Sequence, residues 1–235
     1  MSDRAEQKIR TTPRVSINKL AEYLGSSKPL RRRTILMEQK FPQEFVTARY
    51  KEAFDAIVDF FVDPNHDEDR IHRVIERIQA RPAHNENQIT TKKVNVQALK
   101  HFLKALPKLP LGSYTFRRAS EKTALLNVAG VDISVRPELE LVVNERGGGV
   151  SYGLLKLYVG KTYPLDDDIA AYVGTTVHQY GESHFPAPSN VSYKHCYVLD
   201  VFRERIYSAP KSFVKRRRDI EAACAEIEAQ WANLQ

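Results

Sequence analysis

The sequence predicts an α+β protein, a mixed β-sheet flanked by helices with a helical subdomain in front of it. Three observations carry this. Apolar residues recur at three- and four-residue steps through most of the first 106 positions, the signature of amphipathic helices. After Pro110 and Gly112 the pattern changes to short β-branched and aromatic runs punctuated by glycine. Helical spacing then returns twice, with apolar strand-like segments between. The chain has 235 residues, 42% hydrophobic and 28% charged. Those figures suit one large domain or a domain with an appendage, and exclude collagen-like, disulfide-scaffold and wholly disordered chains.

Taken in order, residues 1–14 lack periodicity and read as a disordered basic arm. Ser16 caps a helix carrying Leu20, Ala21 and Leu24 that stops at Gly25. Pro29 suits the first turn of a second helix, with Ile35 and Leu36 inward and Arg31, Arg32 and Arg33 outward. Pro42 opens a longer helix through Phe45, Tyr50, Ala53, Ile57 and Phe61, and Ile71, Val74, Ile75 and Ile78 stripe another from Asp67 to Ala80. The polar stretch 81–93 reads as a loop or linker, placing a division at 93/94 between the basic helical part and an α/β core of residues 94–235. The core opens with a helix bearing Val96, Leu99, Phe102 and Leu106.

Segments 113–120, 124–130, 131–143 and 149–160 read as strands, with Gly147, Gly148 and Gly149 at a hairpin tip. Asp166, Asp167 and Asp168 stand where a helix N-terminus favours negative charge, ahead of Ile169, Val173 and Val177. Residues 191–202 form an apolar strand, 203–210 its hairpin partner, and 212–233 a terminal helix with Ile220, Ile227 and Trp231.

Lys and Arg number 36 against 29 Asp and Glu, a formal charge of +7. Residues 1–50 hold eleven of the cations against five acids, and Lys211, Lys215, Arg216, Arg217 and Arg218 form a second cluster. Basic patches of this kind favour a polyanion, because phosphate contacts release counterions; a solvated helix face is the plainer alternative. Arg31–Arg33, Lys215 and Arg216–Arg218 are therefore the candidate nucleic-acid contacts, and residues 16–36 carry a faint helix-turn-helix character. No apolar run approaches the roughly 20 residues that span a bilayer, and no leader-like stretch opens the chain. Two cysteines cannot build a disulfide framework, so a cytoplasmic protein is expected. Zinc spacings, a phosphate-binding loop and a serine-hydrolase elbow are all missing from the sequence.

The element order from residue 94, with Pro137-Glu138 followed by Lys156 on the next strand, resembles the PD-(D/E)XK nuclease superfamily of RecB-type and restriction-endonuclease-like folds. The resemblance implies that Glu138, or Glu140 two residues on, matches the first acid and that Lys156 assists the attacking water. Mg²⁺ would then be the cofactor, held by Glu138 and Glu140. Leu154 stands where the second metal-binding acid belongs, and Asp132 is a candidate replacement. The expectation is thus a nucleic-acid-binding protein with a nuclease-like, catalytically degenerate core. An active Mg²⁺-dependent DNA nuclease is one alternative; an interaction subunit of a mobile-element or phage-defence complex, with a protein partner or as a homodimer, is another.

Overall fold

The computed structural model describes residues 9–42, 49–120, 124–145, 147–185 and 190–235. It is α+β, as the sequence predicts. Helices α1 (Ile17–Gly25), α2 (Pro29–Lys40), α3 (Lys51–Val62), α4 (Glu68–Ala80) and α5 (Glu86–Ala105) precede most of the strands, and two short 3₁₀ turns follow α5. Strands β2 (Thr115–Arg118), β5 (Leu139–Asn144), β6 (Val150–Tyr158), β7 (Val191–Asp200) and β8 (Arg205–Ser208) form a five-stranded sheet in the order β2-β5-β6-β7-β8. Its pairs are antiparallel except β6 with β7, which the crossover helix α6 (Asp167–His184) makes parallel. Strands β1 (Arg14–Ser16), β4 (Val131–Ser134) and β3 (Leu126–Val128) form a second, three-stranded sheet, and α7 (Phe213–Trp231) is the last helix.

Alternation along β6 divides the interior in two. Leu154 and Tyr158 face one core, shared by α1, α2, α6, α7 and the small sheet; Leu155 and Leu157 face the other, filled by α3, α4 and α5. From Gly153 to Tyr158 this strand is buried on both faces, and its sequence there is apolar except for Lys156. The second core is aromatic at its centre: Phe102 stacks edge-on against Phe60 at 5.3 Å, and Phe61 lies 4.9 Å from Phe116. Gly25 ends α1, and a Cβ there would sit 1.9 Å from the end of the Ile169 side chain, which would have to turn aside to admit it.

The local signals hold at several boundaries. The Ser16 hydroxyl accepts from the Lys19 amide at 3.3 Å, Pro29 opens α2, and the Asp166 carboxylate accepts from the Ile169 amide at 2.8 Å. Four expectations change. Residues 9–14 are tied down: Arg10 Nη1 donates to Gln39 O at 3.1 Å, Trp231 Nε1 donates to Arg10 O at 3.2 Å, and Arg14 begins β1 beside β4. The rest of the expected arm, residues 1–8, lies outside the described residues. The helix expected from Pro42 starts only at Lys51, with Tyr50 as its cap; residues 43–48 lie outside the described residues.

The expected loop 81–93 is largely helical, because α5 begins at Glu86, capped by Asn85 accepting from the Gln88 amide at 2.9 Å. Buried Asn95 then anchors α5 to α3, accepting from the Ala53 amide at 2.8 Å and donating to Arg49 O and Thr91 O at 2.7 Å. The expected 93/94 division therefore falls inside one helix. Finally, segment 131–143 is two strands in two sheets, broken at Arg136, whose φ is +46°, and at Pro137.

Candidate functional site

The register of β5 on β6 brings the predicted acid and amine together. Glu138 sits just before β5, its backbone amide donating to Leu155 O at 3.0 Å, which sets its side chain beside Lys156. Lys156 Nζ donates to Glu138 Oε1 at 2.5 Å and to Arg136 O at 3.0 Å. The left-handed turn at Arg136 is what aims that carbonyl. Glu138 Oε2 accepts from the Leu157 amide at 2.6 Å.

Both side chains are nearly enclosed, at 8% exposure for Lys156 and 13% for Glu138. Burial pushes the Glu138 carboxyl above its ordinary range, while the Lys156 ammonium and the Leu157 amide pull it down. Both carboxylate oxygens thus already have partners inside the protein.

Glu140 stands across from Leu154 on one side and Arg117 on the other. Its carboxyl is raised by burial, with Arg117 opposing. Leu154, where the resemblance would expect a second acid, is buried in the α6-side core against Gly181. Asp132 belongs to the small sheet, where its carboxylate accepts from Asn127 Nδ2 at 2.9 Å, so it does not supply the missing acid. Among the described residues no group of three His, Cys, Asp or Glu side chains is placed to hold a metal ion.

Asp200, which the sequence hid inside an apolar strand, is completely buried on β7 and accepts from the Leu165 and Arg203 amides at 3.1 Å. A lone acid in such a run was the available signal, since buried carboxylates are rare unless paired. Its bonds serve the loop between β6 and α6 and the β7–β8 turn.

The basic candidates divide into two groups. Arg31 pairs with Glu22 and with Glu38 Oε1 at 3.3 Å, in a network that Lys19 completes. Arg32 Nε donates to Ser26 O at 2.8 Å, and its guanidinium lies over the Tyr23 ring and 3.6 Å from Glu226. Arg216 reaches Asp168 at 3.5 Å and Ser212 Oγ at 3.0 Å. Arg217 pairs with Glu182 at 2.5 Å and donates to His178 Nδ1 at 3.1 Å. Arg33, Lys215 and Arg218 are exposed, and no ion pair engages them among the described residues.

The acids beyond Asp166 are likewise spoken for, Asp167 by Arg205 at 2.6 Å and Asp168 by Arg216. A cavity of about 290 Å³ lies apart from all of these, between α3, α4 and the start of α5, lined by Glu52, Ile78, Arg81, His84, Thr91 and Lys92 among others. Among the described residues no helix is long and apolar enough to cross a membrane. No protein-family model matches the chain, and no curated protein matches it.

Proposed function

We propose that the chain binds nucleic acid through a nuclease-like core whose Mg²⁺ site is closed. The observation that carries the closed site is Glu138: one carboxylate oxygen is bound by Lys156 and the other by the Leu157 amide. A metal would have to displace a buried ammonium or a backbone donor, and Leu154 offers it no second carboxylate. The pair that resembles a catalytic dyad therefore serves as an internal tie between β5 and β6.

Binding would use cations that acids do not already neutralise. Arg33, Lys215 and Arg218 meet that condition, whereas Arg31, Arg32, Arg216 and Arg217 are held by Glu22, Glu226, Asp168 and Glu182. The test is duplex affinity across a salt series. Log affinity should fall linearly with log salt, and each of Arg33→Ala, Lys215→Ala and Arg218→Ala should lower the slope by about 0.9. Mg²⁺-dependent cleavage abolished by Glu138→Gln would overturn the closed-site half; affinity indifferent to salt would overturn the binding half.

A further inference from the structure

A second cluster lies on the opposite face of the large sheet. Tyr197 packs toward the α3–α5 core, whereas Lys156 alternates with Leu155 and Leu157 of that core and so points away from it. Tyr114, just before β2, reaches across the sheet. Its hydroxyl lies 3.0 Å from His195 Nδ1 and 2.7 Å from the Tyr197 hydroxyl. On the far side of the imidazole, His195 Nε2 is 3.8 Å from Glu145 Oε1, and Ser151 Oγ donates to that same oxygen at 2.7 Å.

One proton assignment satisfies the whole chain. Tyr197 O–H donates to the Tyr114 oxygen, Tyr114 O–H donates to Nδ1, and Nε2–H faces Glu145. Gly153 makes the arrangement fit, since a Cβ there would stand 2.0 Å from the His195 carbonyl oxygen. His195 and Glu145 reach solvent, at 18% and 49% exposure, while Tyr114 is half-buried.

A hydroxyl within hydrogen-bond reach of a base, which is itself oriented by a third group, is the arrangement that activates a nucleophile. Burial holds His195 below its ordinary range, keeping the imidazole neutral and able to accept, although Glu145 opposes this. Near the ring the positive charge of exposed Lys194 is offset by the Glu145 carboxylate, so local charge does not by itself select the electrophile.

We propose that Tyr114 is a nucleophile, with His195 as its base and Glu145 orienting the base, and that its substrate is a phosphodiester. The choice of a phosphodiester rests on the proposed nucleic-acid function. The phenol oxygen attacks phosphorus as its proton passes to His195 Nδ1. The bond from phosphorus to the leaving alcohol breaks, and the imidazolium returns the proton to the departing oxygen. A tyrosyl phosphodiester and a free hydroxyl result, with no redox change and no metal. Burial first, and then its bond to Tyr197, hold the Tyr114 proton well above the ordinary phenol range, so His195 takes that proton only as the bond to phosphorus forms, and Glu145 steadies the imidazolium that results.

The test uses the full chain, a metal chelator and the 4-nitrophenyl ester of thymidine 5′-monophosphate, a small phosphodiester that needs no polynucleotide grip. A burst of nitrophenolate is expected, with a nucleotidyl adduct mapped to Tyr114 in acid-quenched wild-type protein. Tyr114→Phe should abolish both, and His195→Gln should slow the burst by about 100-fold or more. No burst, or an adduct on any other residue, would overturn the proposal; mapping in the wild type makes this independent of whether a variant folds. Failure here with salt-dependent DNA binding intact removes only the nucleophile. An adduct without DNA binding removes only the nucleic-acid reading.

Discussion

Lys156→Met asks how much the tie between β5 and β6 is worth. The substitution keeps the length of the side chain and removes its charge. Glu138 would be left 13% exposed with a single donor, the Leu157 amide, for two carboxylate oxygens. Removing one partner of an enclosed ion pair typically costs about 3–5 kcal/mol, because the survivor is stranded without solvent. For a chain of this length that corresponds to a fall in melting temperature on the order of 10 °C.

Urea unfolding followed by circular dichroism reads the loss directly. The double variant Glu138→Gln/Lys156→Met should recover more than half of it, since no charge then remains buried. A pH series supplies a second arm. In the single variant the folded carboxyl binds a proton more readily than the unfolded one, so its stability should rise as pH falls from neutral toward about 4.5. A cost below about 1 kcal/mol, or additive effects in the double variant, would refute the reasoning.

Three further outcomes follow from other parts of the structure. Gly153→Ala should cost about 1–3 kcal/mol in urea unfolding by driving a methyl into the His195 backbone, whereas Gly112→Ala, with nothing within 4 Å, should not. Asn95→Ala removes hydrogen bonds to Ala53 in α3, to Arg49 ahead of it and to Thr91 in α5, and should cost about 2–4 kcal/mol, while Asn95→Asp should fail to rescue it because a carboxylate cannot donate to Arg49 O. His178 is held below its ordinary range chiefly by burial, with Arg217 adding to the effect and Glu182 and the Val191 carbonyl opposing it. The unfolded chain therefore takes up the proton first, and stability should decline as pH drops below about 6.5; His178→Gln should flatten that decline.

How much of this was legible in the sequence depends on the range of the interaction involved. Ser16 and Asp166 accept from amides three residues on, and Pro29 acts through its own fixed φ and missing N–H, so these helix starts could be read from spacing alone. Asn85 acts in the same way but stands within a polar stretch, and the first turns of α5 are exposed, so no apolar period marked them. The Glu138–Lys156 contact was inferred from neighbouring strands, and their register delivers it. Its closure was not legible, because the Leu157 amide and the Arg136 carbonyl are backbone groups that a residue pattern does not display. The arginine runs looked free because their acids lie elsewhere in the chain, Glu182 for Arg217 and Glu226 for Arg32. Tyr114 and His195, 81 residues apart, meet only through the pairing of four strands.

Whether Glu138 is a structural acceptor or a metal ligand decides the proposed function. Side-chain carboxyl ¹³C resonances, with Glu138 assigned by its loss in Glu138→Gln, can be followed while millimolar Mn²⁺ is added in the presence of duplex DNA. The Glu138 signal should keep its width while exposed carboxylates such as Asp69 broaden. Selective broadening of Glu138 at low Mn²⁺ would contradict it.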